Sequence, residues 1–121
     1  MSPPARVLIV DRSQESRELL RSLLVRQGAE VVEAREAGAA ADMAAARRPD
    51  LIVVDNDAPR TACHSGATRL AAAAARNAVP IVVVGTAKRG VSPLPTEQFV
   101  AKPYHYGALI RRIESLLGNR P

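Results

Sequence analysis

Short runs of aliphatic residues alternate with segments of helical periodicity along this chain, and that alternation leaves few folds open. Val7–Val10 is apolar at every position. Ser13 follows as an N-cap, then Leu19, Leu20, Leu23 and Leu24 at helical spacing, with Gly28 as a C-terminal stop. Glu30–Glu33 reads as a short strand, and the alanine-rich Glu36–Arg48 as a helix that Pro49 ends. Leu51–Val54 is the second apolar run. A loop carrying Pro59 and Gly66 leads to a helix over Thr68–Arg76, where Ala71–Ala75 has high helix propensity. Ile81–Val84, introduced by Pro80, is the third apolar run, and Phe99–Ala101 is the last strand candidate. The final helix is Gly107–Leu117, with Leu109, Ile110, Ile113, Leu116 and Leu117 on one side and Gly118 beyond its end.

Strands that are apolar at every position are buried on both faces, as in a parallel sheet covered by helices. The pattern therefore predicts an α/β chain: one doubly wound domain over residues 1–121 with a five-stranded parallel sheet of the flavodoxin-like kind. Residues 1–5 and 118–121 read as tails. Between Val84 and Phe99, Gly90, Pro93 and Pro95 break the pattern, so the fourth crossover helix is expected to be shortened or missing. Ligands of this architecture bind beyond the carboxyl ends of the strands. Asp11, Asp55, Gly85–Thr86 and Lys102 all fall there.

The length suits one domain, and 47% apolar content suffices for its core. Phe99, Tyr104 and Tyr106 are the only aromatics, so Ala, Val, Leu and Ile must build that core. Cys63 is the single cysteine, which excludes an intrachain disulfide and suits a reducing compartment. The start, MSPPARVLIVD, lacks the pattern of a cleaved leader, and no apolar stretch reaches the roughly 18–20 residues that span a bilayer. A cytoplasmic protein with no membrane partner is expected. The net charge of +5 comes mostly from arginines, but they are scattered, and only Arg47–Arg48 and Arg111–Arg112 are adjacent. Nucleic acid is accordingly not expected as a partner. Cys63 and His64 have no further ligands at zinc spacing, His105 reads as a surface residue, and no glycine-rich phosphate loop is present.

Over essentially its whole length the chain resembles the response-regulator receiver family of two-component signalling. Asp55 ends the third strand with Pro59 after it, like the family's Asp-x-x-x-Pro loop. Lys102–Pro103–Tyr104 follows the fifth strand, like its Lys-Pro-aromatic motif, and Asp11 stands where it has an acidic pair. The resemblance implies that Asp55 is the phospho-acceptor for a histidine kinase or phosphotransfer protein. It implies Lys102 as a contact to the phosphoryl oxygens, and Mg²⁺ held by Asp11 and Asp55. It further implies Phe99 as the aromatic that rotates on activation and Lys102–Pro103 as a cis peptide. Such a module signals through protein contacts and is no enzyme beyond phosphoryl transfer to and from its own aspartate.

Three departures from the family pattern stand out. Arg12 replaces the second acid and would disrupt the metal site, since a permanent cation repels a divalent ion. Arg12 reads either as a surface residue at a helix start or, in the sharper and favoured reading, as the partner of Asp55. Gly85 stands where the family has a phosphoryl-binding Thr or Ser, and Thr86 comes one residue later, a shift that turns a hydroxyl to the other side of an extended strand. The shortened fourth crossover puts the family's usual output surface in doubt. Asp57 reads as a compensating metal ligand, as a partner of Arg12, or as a solvated loop residue.

Two other readings remain open. One is a pseudo-receiver that keeps the fold for an unidentified protein partner without phosphorylation. The other is a small phosphatase resembling the haloacid dehalogenases, with Asp55 as nucleophile, Asp57 as general acid, and Thr86 and Lys102 in later motifs. Against that one, a complete strand–helix–strand–helix precedes Asp55, and no acidic pair follows Lys102.

Overall fold

Strand and helix alternate as the apolar runs predict. The computed structural model describes residues 3–56, 64–86, 94–95, 98–103 and 105–118. In chain order these form β1 (Arg6–Val10), α1 (Gln14–Arg26), β2 (Glu30–Ala34), α2 (Ala37–Arg47) and β3 (Leu51–Asp55). Then come α3 (His64–Arg76), β4 (Ile81–Gly85), β5 (Phe99–Ala101) and α4 (Tyr106–Leu117). The strands pair in parallel in the order β2-β1-β3-β4-β5. This is the doubly wound order, with its reversal between β1 and β3.

Strict alternation along each strand splits the core in two. Leu8, Val10, Ile52, Val54 and Val83 face α2 and α3, where Ala40, Ala44, Leu70 and Ala74 meet them. Val7, Ile9, Leu51, Val53, Val82 and Val84 face α1 and α4, against Leu20, Leu24, Leu109 and Ile113. Among the described residues no polar or charged side chain is buried. The alanines of α2 and α3 let those helices lie close together, and Asp42 and Arg69 pair across them at 2.5 Å.

The helix α3 begins at His64, four positions before the expected Thr68, and the added turn packs Ala67 against the core. The edge strands depart from the expectation of burial on both faces. β5 is only half-buried or exposed, and β2 carries Glu30 and Glu33, because an edge strand has solvent on one flank. No helix is present between β4 and β5 among the described residues. Leu94 from that connection is buried and closes the core on the α3 side. Asp57, Pro59, Cys63, Gly90, Pro93, Tyr104 and the side chain of His64 lie outside the described residues.

Helix ends are set locally. Ser13 caps α1 by accepting the Ser16 amide at 3.2 Å. Gly28 (φ +88°) turns the chain out of α1, with its amide on the Val25 carbonyl and that of Ala29 on Leu24. Ala78 (φ +53°) occupies the same place after α3, with Val79 bonded back to Ala74. Arg48 (φ +44°) ends α2.

Candidate functional site

Because β1 lies beside β3 with Val10 level with Val54, the next residues, Asp11 and Asp55, come side by side at the carboxyl edge of the sheet. The loop after β1 is fixed by the Asp11 amide on the Ala34 carbonyl (3.1 Å) and by Asp11 Oδ1, which accepts the Ser13 amide (2.9 Å). The Arg17 guanidinium donates to the Asp11 carbonyl (2.7 Å) and pairs with Glu33 (3.2 Å). Arg17 was not among the sequence candidates. Its one signal is a cation in the first turn of a helix, where the dipole favours acids, so such a residue needs a partner elsewhere.

From the other side, β5 delivers Lys102. Its amide bonds the Gly85 carbonyl at 2.8 Å, and its Nζ lies 2.7 Å from Asp55 Oδ2. The Lys102–Pro103 peptide is cis. The Asp55 side chain is 17% exposed and that of Lys102 32%, so this pair is screened less than a surface one. The Asp11 carboxyl is pushed above its ordinary value, chiefly by burial, and further by the charge of Asp55 and a hydrogen bond with it. The Ser13 amide and Lys102 oppose that shift. Two half-buried carboxylates in contact favour any cation that joins them.

The other candidates are placed differently. Arg12 does not pair with Asp55: it is exposed and lines a cleft on the far side of Asp11, while Lys102 takes the carboxylate. The loop after β1 turns at Arg12 into the cap of α1, which directs the side chain outward. Gly85 ends β4, so the strand alternation expected to turn the Thr86 hydroxyl away does not extend to Thr86. Thr86 is exposed and follows Gly85, whose carbonyl accepts the Lys102 amide. Phe99 is half-buried against the α2–α3 side of the core. Asp57 lies outside the described residues, among which no three acidic, histidine or cysteine side chains converge on one point.

A family model of the response regulator receiver domain matches residues 7–114. Protein PilH of Pseudomonas aeruginosa is 25% identical over 118 residues, spanning 93% of this chain and 98% of that protein. Among solved structures, the receiver domain of a sensor histidine kinase from Pseudomonas aeruginosa, with a magnesium ion coordinated in its active-site cleft, is similar at a TM-score of 0.79. It shares 20% identity over 96% of this chain and 99% of that one. A CheY-like response regulator receiver domain protein from Methanospirillum hungatei also gives a TM-score of 0.79, at 21% identity over 95% and 94% of the two chains. At these identities the structures establish the fold, and the family model establishes the kinship: the chain belongs to the response regulator receiver domain family.

Proposed function

We propose that this receiver accepts a phosphoryl group on Asp55, from a histidine kinase or phosphotransfer protein, and passes the signal on through protein contacts. One juxtaposition carries the reading: Asp55 ends β3 with Asp11 against it on one side and Lys102 Nζ at 2.7 Å on the other. An oxygen of the Asp55 carboxylate attacks phosphorus, and the bond to the donor's leaving group breaks in line with it. Charge then rests on the phosphoryl oxygens, where the Lys102 ammonium, already held at this carboxylate, meets it. Turnover of any other substrate is not part of this reading, and the whole of residues 1–121 acts as one receiver domain.

The donor set suits a magnesium ion. Asp11 and Asp55 supply two adjacent carboxylates, and Mg²⁺ is usually bound by one or two carboxylates together with waters and phosphate oxygens. When bound, such an ion neutralises charge developing on the phosphoryl group. Asp57 is the further candidate ligand, and Arg12 weakens the site by replacing an acid.

Arg12 in place of an acid and Gly85 in place of a hydroxyl residue favour a second reading, an interaction module that is never phosphorylated. The test is incubation with a small phosphodonor, with and without Mg²⁺, read by intact mass against Asp55→Asn. A Mg²⁺-dependent gain of one phosphoryl group, absent from the variant, establishes the first reading. No gain under conditions that modify an ordinary receiver establishes the second. Among the described residues no helix is long and apolar enough to cross a membrane.

A further inference from the structure

Arg12 departs from the family pattern, yet its guanidinium is not spent on the acidic site. It opens instead onto a cleft of about 700 Å³ between the loop after β1 and the loop after β2. Arg35, the first residue beyond β2, lines the same cleft, and so does Arg17. Arg12 and Arg35 are both exposed, and the guanidinium of neither makes a hydrogen bond or ion pair with a described residue. Arg17 is committed to Glu33 and to the Asp11 carbonyl. Glu33 is matched by Arg17 and by Arg21 at 3.7 Å. Two cations with no partner among the described residues are therefore left facing one concavity.

Glu36 and Ala39, at the start of α2, line this cleft. Glu36, the N-cap of that helix, makes no side-chain capping bond, and the first turn carries no acidic residue. The N–H groups of that turn and the helix dipole thus favour an anion at the place to which Arg35 leads the chain. Below the charged rim the cleft is apolar, formed by Ala34, Ala39 and Met43. A planar guanidinium fork suits a phosphate better than a lone carboxylate, because it donates two parallel bonds to it. The volume falls within the range of small-molecule sites, and a thioether at the base packs favourably on a ring.

We propose that this cleft is a binding site for a small organic phosphate of about mononucleotide size. Arg12, Arg35 and the first turn of α2 hold the phosphate, and Met43 and the alanines hold its apolar part. The site lies beyond the phospho-acceptor and does not depend on Asp55 being modified. Glu36 also lines the cleft, so its carboxylate competes with the ligand.

The probe is AMP, titrated into the protein without Mg²⁺ or any phosphodonor and followed by backbone amide shifts, with adenosine and inorganic phosphate as comparisons. Saturable shifts at Arg12 and at residues 35–37 are expected, with AMP tighter than inorganic phosphate and adenosine weaker than both. Arg35→Gln weakens AMP about tenfold, the size of a lost pair of charge-assisted bonds. Glu36→Gln tightens it. Arg26→Gln, which makes the same charge change in the last turn of α1, leaves it unaltered. The proposal is overturned if shifts grow without saturating over the whole basic surface, or centre on Asp55 and Lys102. It is equally overturned if Arg26→Gln weakens AMP as much as Arg35→Gln, if inorganic phosphate binds as tightly as AMP, or if an acidic peptide saturates the cleft while AMP does not.

Discussion

Lys102 Nζ sits 2.7 Å from Asp55 Oδ2, joining residues 47 positions apart across the ends of β3 and β5. The contact exists because β4 lies between those strands in register: Asp55 is level with Val84, and Gly85 with Ala101. The ammonium thereby places a positive charge on Asp55, whose carboxylate is crowded by that of Asp11.

Replacing Lys102 by Met keeps the aliphatic stem and removes the charge. Phosphoryl uptake on Asp55 should fall at least tenfold, within the range seen when a group stabilising developing charge is lost. Stability at pH 7 should fall by about 1 kcal/mol, because the pair is only partly shielded from water. Intact mass and urea unfolding read the two effects separately. Undiminished phosphoryl uptake would place Lys102 outside the chemistry.

Much of the fold was legible because each apolar run is bounded by a cap, a glycine or a proline. Val7–Val10, Leu51–Val54 and Ile81–Val84 read as strands covered on both faces, Asp11 and Asp55 followed from the ends of the first two, and Lys102 from the end of Phe99–Ala101. The fate of Arg12 was not legible. Whether a side chain at a strand end turns toward its neighbour or into the next loop depends on the cap of α1 and on what already occupies the carboxylate. Neither shows in a local pattern. The role of Arg17 was hidden for the same reason: its partners, Asp11 and Glu33, meet it only once β1 and β2 are paired.

Asp11 links the site to stability. Its carboxyl is raised above the ordinary value by burial and by Asp55, so the native state holds that proton more tightly than the unfolded chain does. The contribution of Asp11 to stability is then greatest below the ordinary aspartate range and declines as pH rises through the raised native value. Asp11→Asn removes this penalty and keeps an oxygen for the Ser13 amide. In Mg²⁺-free buffer at pH 7 the variant should be the more stable of the two. The advantage should vanish near pH 3, about a unit below the ordinary aspartate value. A melting-temperature difference that stays constant across that range contradicts the assignment.

Ala78 holds a left-handed conformation (φ +53°) at the turn where α1 uses Gly28, and both turns close with the same bond back to the helix. An L-residue there costs roughly 1–2 kcal/mol of backbone strain, of which a glycine returns part as greater freedom in the unfolded chain. Ala78→Gly should therefore stabilise the fold by about 0.5–1 kcal/mol. The side chain is exposed, so no packing is lost. Thermal unfolding of the variant checks this, and a lower melting temperature refutes it.

Arg12 decides how far the acidic site is impaired. Since its guanidinium faces the cleft and not Asp55, it acts on a metal through solvent as a charge at a distance. A divalent ion and a unit charge roughly 8 Å apart in water repel by about 1 kcal/mol, which is near a fivefold loss of affinity. Arg12→Ala should recover that factor alone. Arg12→Asp reverses the charge and supplies a third carboxylate beside Asp11 and Asp55, so Mg²⁺ should bind at least tenfold more tightly than to the parent. Calorimetric titration of the three proteins separates the causes. Equal gains in both variants mean that the charge alone was responsible, and a gain confined to Arg12→Asp means that the missing ligand was. If neither variant gains, the Asp55 carboxylate is limited by its pairing with Lys102, and removal of that lysine should admit the ion.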